Sequence, residues 1–428
     1  MATPLETADE QVAAGNGRAA INALRDPSLQ LPLGAVAESV RRGAMLLHLD
    51  VLAKSAGRAA STPESPPALY DFGVTCHQLG IPEIAVQALR RCLELEEHDQ
   101  TAVTLAATLE DCTLHTVALV VLEGRPHLLR EWTLRYVAAF NALMSGDIER
   151  ARGHQRELSP PGDDAQRTMS ERLERMLRRA DAMTRIRPLS RSDLQRWEMV
   201  ISASLITTLS PWAFSSMHGR WGLVGDTYAL CRHGLQRLVA VVSALERRPE
   251  AVLLVPDRDS TVLGLAAAHV LGVPARPFDG DADGLVVVYD PGNVAKHVLS
   301  SLRSHRPRQL LAAHATNWVH PSAIAPDITT LVHQFVQAPW GERTSVDPTT
   351  HLTDTVPADP APAPELAERI VNAAATPAEG DGETPADTEA ELVALALACH
   401  DITAVAQEEG PRERMWLGGP VRSARFIQ

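Results

Sequence analysis

The chain has few cysteines, no long apolar run and no excess of positive charge. Its five cysteines are odd in number and lack the short paired spacing of a disulfide framework or a zinc knuckle, so we expect buried, reduced thiols. No apolar run approaches the ~20 residues of a membrane helix, and the N-terminus lacks the residue order of a secretory signal. These absences predict a cytoplasmic protein.

Lysine is nearly missing, because only Lys54 and Lys296 occur among the 40 lysines and arginines. We take this bias as typical of a GC-rich bacterial genome rather than of a mechanism. The formal net charge of -13 opposes broad attraction to nucleic acid or to a membrane surface, since such attraction needs basic patches that displace counterions. We therefore expect neither a nucleic-acid partner nor membrane binding.

The length of 428 residues, with 45% apolar content, predicts two or three domains. We expect residues 1–32 to be a flexible N-terminal segment. Residues 33–187 are rich in Ala, Leu, Arg and Glu, with apolar residues at intervals of three and four. This spacing is typical of amphipathic helices and predicts an α-helical domain.

One stretch of this helical domain carries a repeat-like pattern of large, small and turn residues. The pattern comprises Leu69, Phe72, Gly73, Cys76, Gly80, Ala85, Leu89 and Cys92. It resembles a tetratricopeptide repeat, although Glu97 stands where that family usually has proline. A second, weaker match places Gly146 at the turn and Ala151 at the close contact, and the interval between the two turns is not a whole number of repeats. Neighbouring helices must then complete a short solenoid or an irregular bundle.

The resemblance implies a function for the helical domain, since tetratricopeptide domains present a surface to peptides or to other proteins. We therefore expect a protein partner of unknown identity at this domain. The alternative is a helical bundle that only braces the following domain.

After Pro188 the pattern changes, and residues 188–345 alternate between strands and helices. The expected elements are strand Ala251–Val255, helix Thr261–Leu271, strands Ala275–Phe278 and Leu285–Tyr289, helix Val294–Ser304 and strand Gln309–His314. Such alternation predicts a mostly parallel sheet in a three-layer α/β domain. Val200–Leu209 is also capable of forming a strand, and we expect Ala325–Thr330 and Pro339–Gly341 to be loops.

The end of the chain has a different composition. Residues 346–387 are rich in Pro, Ala, Asp, Thr and Glu, which predicts a disordered acidic linker with one short helix near Pro364–Ala375. Within residues 388–428, Thr388 caps an amphipathic helix. Its apolar face comprises Leu392, Leu395, Cys399, Ile402 and Ala406. We favour docking of this helix on its own chain, the alternative being a partner.

Two polar loops follow strands of the predicted sheet and should meet at its carboxyl edge. The candidate ligand-binding residues are Asp257, Arg258, Asp259, Ser260 and Thr261 in the first loop and Asp290, Gly292 and Asn293 in the second. The first loop opens a helix, whose N-terminus offers free N–H groups to an anion, and ligands of open α/β sheets bind at this edge.

The run from Val252 to His314 resembles type I phosphoribosyltransferases, including a Leu-Gly-x-Pro turn at Leu271–Pro274. The resemblance implies pyrophosphate at the first loop and a phosphorylated sugar or nucleotide at the second. Tyr289-Asp290 replaces the family's pair of acids, and Pro291 removes an N–H from the segment that would bind phosphate. We therefore expect a degenerate, catalytically inactive domain that serves as an interaction or ligand-sensing module without a cofactor.

Two enzymatic alternatives remain open. An active phosphoribosyltransferase would need Mg²⁺ to bridge pyrophosphate and the acids of the first loop. A haloacid-dehalogenase-like phosphatase would use Asp257 as nucleophile and Asp259 as general acid. For that chemistry Thr316 could supply a hydroxyl, but Lys296 precedes it and no acid pair follows at a strand end.

Three histidines lie near the same edge of the sheet, namely His314, His320 and His333. Their spacing matches no metal motif, and a metal site needs three or four converging ligands. We expect them to be structural histidines and expect no metal.

Overall fold

The computed structural model describes residues 2–26, 31–280, 282–306, 308–320, 322–346, 353–377, 379–384, 387–399, 411–415 and 419–422. The chain divides into two compact units, Met1–Glu171 and Arg172–Gln428. The fold class, helical followed by α/β with a mostly parallel sheet, agrees with the prediction.

The first unit is built from helices. They are α1 (Pro4–Ala13), α2 (Gly17–Asn22), α3 (Leu33–Leu46), α4 (Asp50–Ser61), α5 (Pro66–Gln78), α6 (Pro82–Leu95), α7 (Asp99–Asp111), α8 (His115–Glu123), α9 (Trp132–Met144), α10 (Ile148–Arg156) and the start of α11 (Asp164–Ile186). A 3₁₀ turn at Leu128–Arg130 precedes α9. Each helix from α1 to α10 packs against the next one, so the helices form stacked hairpins.

The five hairpins share one turn. In each turn a residue with positive φ lies two positions before the second helix, and the following N–H donates to the carbonyl five residues earlier, as in a Schellman motif. The positive-φ residues are Gly15, His48, Gly80, Thr113 and Gly146, at separations of 32 or 33 residues. Five residues after each turn stands an alanine, namely Ala20, Ala53, Ala85, Ala118 and Ala151.

This regularity changes two sequence-based expectations. The interval from Gly80 to Gly146 contains two whole periods, with the turn at Thr113 between them. Our contrary interpretation was wrong because the period is slightly shorter than the ~34 residues of a tetratricopeptide repeat and because His48 and Thr113 are not glycines. The segment 1–32, expected to be flexible, contains the first hairpin instead.

The second unit surrounds a sheet. Its helices are the rest of α11, α12 (Leu194–Ser202), α13 (Phe214–Met217), α14 (Tyr228–Ala244), α15 (Arg258–Leu271), α16 (Lys296–Ser301), α17 (Ala363–Asn372) and α18 (Glu389–Cys399). Its strands are β1 (Leu205–Ile206), β2 (Trp221–Gly225), β3 (Val252–Leu254), β4 (Ala275–Pro277), β5 (Gly284–Val288), β6 (Gln309–Asn317), β7 (Ile328–Gln337), β8 (Arg343–Val346) and β9 (Thr353–Val356).

The first seven strands form a parallel sheet in the order β1-β7-β6-β5-β3-β4, and β2 pairs with β7 on the same side as β1. Helices α14 and α15 contact strands of this sheet. A core cluster on the sheet includes Val298 of α16 and Val286 of β5. Because β3 leads to β4 on one side and β5 lies on the other, the direction of winding reverses between β3 and β5.

Several predicted elements have different bounds. Ile328–Gln337 is a ten-residue strand, although its first residues were expected to be a loop. Only Leu205–Ile206 of Val200–Leu209 is a strand, since α12 extends to Ser202. These segments mix apolar and polar residues without a regular period, so their sequence does not show which residues form a strand. The strand conformation depends on pairing within the sheet.

The acidic segment is only partly the predicted linker. Its predicted short helix is confirmed by α17, which buries Leu366 and Ile370 and packs against α15, whereas the antiparallel pair of β8 and β9 was not predicted. The terminal helix α18 packs against α14, as the docking prediction requires, and Ile402 and Ala406 lie outside the described residues. In the described part of the chain, no helix combines the length and apolarity that crossing a membrane demands.

Candidate functional site

The two predicted loops lie side by side at the carboxyl ends of β3 and β5. The N–H of Tyr289 donates to Oγ of Ser260 over 3.1 Å, which joins the start of the second loop to the first. This contact confirms that the loops meet at the point where the winding of the sheet reverses. Crevices at such points are where open α/β sheets bind ligands.

Polar groups of the first loop make hydrogen bonds within the loop, where Asp257 caps α15. Asp257 is the N-cap of α15, and its Oδ1 accepts the N–H of Ser260 at 2.8 Å. Thr261 donates its hydroxyl to the carbonyl of Val255. Burial raises the pKa of Asp257 above its usual value, with hydrogen bonds from Ser260 acting in the opposite direction. Oδ2 of Asp257 is buried and has no hydrogen-bond partner among the described residues.

The second loop closes on itself. Pro291–Asn293 forms a 3₁₀ turn, in which Oδ1 of Asp290 accepts the N–H of Gly292 and its carbonyl accepts the N–H of Asn293. The other carboxylate oxygen of Asp290 lies 3.4 Å from Nε2 of the buried His333. Asp290 therefore serves its own turn and does not present both oxygens to a sugar diol.

Trp340 lies against both loops. It is fully buried, and its indole N–H donates to Oδ1 of Asp259 at 2.6 Å. Its ring centroid is 5.5 Å from that of Tyr289 and 6.1 Å from that of Tyr228. Arg258 donates to the backbone carbonyls of Asp359 and Ala361, so its guanidinium is bound to the segment after β9. The polar groups predicted to bind a ligand are thus mostly engaged by the chain itself.

A second group of polar side chains includes Tyr289, whose ring packs against Trp340. Asp226 follows β2, Cys231 lies in the first turns of α14, Tyr289 follows β5 and His314 lies on β6. Three of them bond to one oxygen, Oδ2 of Asp226: the Tyr289 hydroxyl at 2.7 Å, Nε2 of His314 at 2.9 Å and the Cys231 thiol at 3.2 Å. All four side chains are buried. We call these four residues the Asp226 cluster.

The pKa shifts in the Asp226 cluster favour an ionised carboxylate at Asp226. Burial raises the pKa of Asp226, but the charge of His314 and the hydrogen bonds from His314, Tyr289 and Cys231 outweigh burial, so the pKa is lowered overall. Burial, together with Asp226, raises the pKa of the Cys231 thiol well above its usual value. A thiol in this state is a poor nucleophile, since the thiolate is the reactive form.

The Asp226 cluster does not have the geometry of a cysteine–histidine catalytic pair. Nε2 of His314 is 2.9 Å from Asp226 but 3.9 Å from the sulfur of Cys231, so one nitrogen faces both groups. In a catalytic pair the carboxylate instead orients the other ring nitrogen. The ligand atoms of Asp226, Cys231 and His314 lie within 4.8 Å of one another and could hold a metal ion.

Sequence reasoning found the two loops but missed the Asp226 cluster. The signal that could have revealed this cluster is strand β2. Trp221–Gly225 is followed by Asp226 and by the N-cap Thr227 of α14, so a strand, an aspartate and a helix follow one another here as they do at β3, Asp257 and α15. Of the three histidines, His314 and His333 are buried and His320 is exposed. Comparison with protein-family models, with curated proteins and with solved structures gives no match.

Proposed function

We propose that this chain is a non-catalytic protein-interaction module. In it the tetratricopeptide-like hairpins bind a partner, and the α/β unit keeps a phosphoribosyltransferase-like frame without the activity. The observation that carries the proposal is the array of five hairpins with one turn geometry and a period of 32 or 33 residues. Stacked repeats of this kind create extended surfaces that serve for binding.

An apolar patch at the α3–α4 turn supports this proposal. Five apolar side chains within seven residues are exposed, namely Met45, Leu46, Leu47, Leu49 and Val51. Val51 exposes 72% of its surface and Met45 exposes 56%. Because contiguous exposed apolar surface marks interaction sites, we assign the partner contact to this patch and expect a partner surface of apolar character.

The state of the predicted ligand loops supports the absence of catalysis. Asp259 accepts a hydrogen bond from buried Trp340, and Arg258 binds backbone carbonyls. Pro291 leaves the second loop without one of the N–H donors that a phosphate would need.

Affinity capture with the full chain tests the interaction proposal. The double variant Met45→Glu and Val51→Glu should lose the partner that the unaltered chain retains, because the carboxylates place charge in an apolar contact. Leu397→Glu, at a side chain exposed by 55% on α18, is the matched control and should retain the partner. If both variants retain the same proteins as the unaltered chain, the patch is not the binding surface and the proposal fails.

One observation favours a second function, the binding of a phosphorylated sugar or nucleotide. The buried Oδ2 of Asp257, which has no hydrogen-bond partner among the described residues, lies where the winding of the sheet reverses and can accept a sugar hydroxyl or bind Mg²⁺. Thermal-shift measurements with phosphoribosyl diphosphate, nucleotides and Mg²⁺ test this function, since a ligand at 100 times its Kd adds about 2.7 kcal/mol. Stabilisation that disappears in Asp257→Asn would favour ligand binding at the first loop, whereas no stabilisation is expected for the interaction module.

A further inference from the structure

The Asp226 cluster brings three different ligand types to one point inside the second unit. Oδ2 of Asp226, Sγ of Cys231 and Nε2 of His314 form a triangle with sides of 3.2, 2.9 and 3.9 Å. Tetrahedral zinc, with bonds of about 2.0–2.3 Å, separates its ligand atoms by roughly 3.3–3.8 Å. The triangle therefore matches a zinc site to within about half an ångström.

We propose that Asp226, Cys231 and His314 bind one Zn²⁺ ion. Thiolate, imidazole and carboxylate are the three protein ligands that zinc prefers. One carboxylate and one thiolate also balance the double charge of the ion, so the buried site would be neutral. Neutrality matters here because an uncompensated charge in a buried site is costly.

The protons of the cluster balance in this step. The thiol proton of Cys231 and any proton on Nε2 of His314 leave to solvent when the sulfur and the nitrogen form bonds to the ion. Without metal, burial and Asp226 hold the pKa of the thiol well above its usual value. A bound cation reverses this preference, since a coordinating thiol is deprotonated outright.

Tyr289 orients the carboxylate of Asp226 through a hydrogen bond, as groups next to metal ligands commonly do. Its hydroxyl oxygen lies 2.7 Å from Oδ2 of Asp226, and its ring is 5.3 Å from the ring of His314. Trp340 packs against the ring of Tyr289. An ion held by Asp226, Cys231 and His314 would tie β2, α14 and β6 together at the carboxyl edge of the sheet, and Tyr289 would link β5 to the site through its hydrogen bond.

Metal analysis of the purified full chain tests the proposal. We expect about one zinc per chain, and after replacement by Co²⁺ we expect the near-ultraviolet charge-transfer band of a thiolate-bound ion. Cys231→Ser should lose both. Cys76→Ser is the control, because Cys76 is equally buried but lies in the first unit, on α5.

A measurement on the unaltered chain avoids reliance on variants that fail to fold. Zn²⁺ added to chelator-treated protein should raise the Tm of the unaltered chain and of Cys76→Ser. Tyr289→Phe should keep the cobalt band, because all three ligands remain, but it should bind zinc more weakly, because Asp226 loses the hydrogen bond that orients it. The proposal is overturned if the unaltered chain contains no zinc, gives no cobalt band and shows no Tm shift, or if Cys231→Ser keeps its zinc; the cluster would then be a hydrogen-bonded network alone.

Discussion

At Gly73 the absence of a Cβ permits close packing of the α5–α6 hairpin. A Cβ at this position on α5 would lie 2.6 Å from Cγ of Leu89 on α6, whose side chain is fully buried. Gly153 also lies inside a helix, but a Cβ there meets no atom within 4 Å. Alanine at Gly153 would therefore change helix propensity alone, whereas alanine at Gly73 would also change packing.

We predict opposite effects of alanine at these two positions. Gly73→Ala should lower the free energy of unfolding, because overpacking costs about 1–3 kcal/mol and exceeds the gain of about 1 kcal/mol in helix propensity. Gly153→Ala should be neutral or stabilising. Urea unfolding of both variants measures the difference, and equal stabilisation by both would refute close packing at Gly73.

Trp340 is fully buried and contacts Asp259 and Tyr289, one residue from each side of the crevice. Trp340→Ala should lower the free energy of unfolding by about 3–5 kcal/mol, because a buried indole is removed. Trp212, which exposes 47% of its surface, is the matched control, and its alanine variant should change stability by less than about 0.5 kcal/mol. Thermal unfolding compares the two variants. A similar effect of both would contradict the interior packing of Trp340.

At the scale of elements, the segment Pro411–Met415 is held to the sheet by buried ion pairs. The guanidinium of Arg412 contacts both carboxylate oxygens of Asp327, at 3.1 and 2.9 Å, and Glu413 pairs with Arg172 and Arg175 of α11. Burial raises the pKa of Asp327, but the charge of Arg412 and hydrogen bonds from His305 and Arg412 hold it far below its usual value. This carboxylate therefore stabilises the fold in its ionised form.

The stability contributed by Asp327 should depend on pH. A lowered carboxyl pKa stabilises the fold fully above the unfolded value of about 3.9, and this contribution is lost as the pH falls toward the folded pKa. Asp327→Asn should cost about 3–5 kcal/mol at neutral pH, because Arg412 stays buried without its partner. The difference in the free energy of unfolding between the variant and the unaltered chain should become smaller as the pH drops from about 5 to about 3.

Denaturant unfolding across this pH range measures the effect. Asp283→Asn is the control, since Asp283 is exposed and its nitrogen–oxygen distance to Arg308 is 4.0 Å. A constant difference at all pH values would contradict the assignment of an ionised Asp327.

Segments of uniform apolar composition or helical spacing could be predicted from the sequence, whereas mixed segments could not. Strand β5 and helix α15 lie close to their predicted bounds, because β5 is a continuous apolar run and α15 is rich in Ala and Leu. Strand β2 contains two glycines, and in β7 the polar pairs Thr329-Thr330 and His333-Gln334 interrupt the apolar residues without a regular period. Their strand conformation follows from pairing with each other.

At the scale of the whole molecule, the first unit consists of contacts between neighbours in sequence. Because each hairpin packs on the next, its stability should be close to a sum of local terms. We predict that a fragment ending at Ser159, between α10 and α11, folds alone as a helical array. Far-UV circular dichroism with urea unfolding checks this, and a fragment without a cooperative transition would contradict the prediction.

The sequence by itself determined the class of each half, the two loops after β3 and β5 and the amphipathic face of α18, because these depend on local periodicity and capping. The tertiary structure decided what fills the loops and which polar groups meet. Trp340 is 81 positions from the Asp259 carboxylate that it contacts, and Asp226 is 88 positions from His314. No local pattern encodes such pairs, since a parallel sheet joins strands that are distant along the chain.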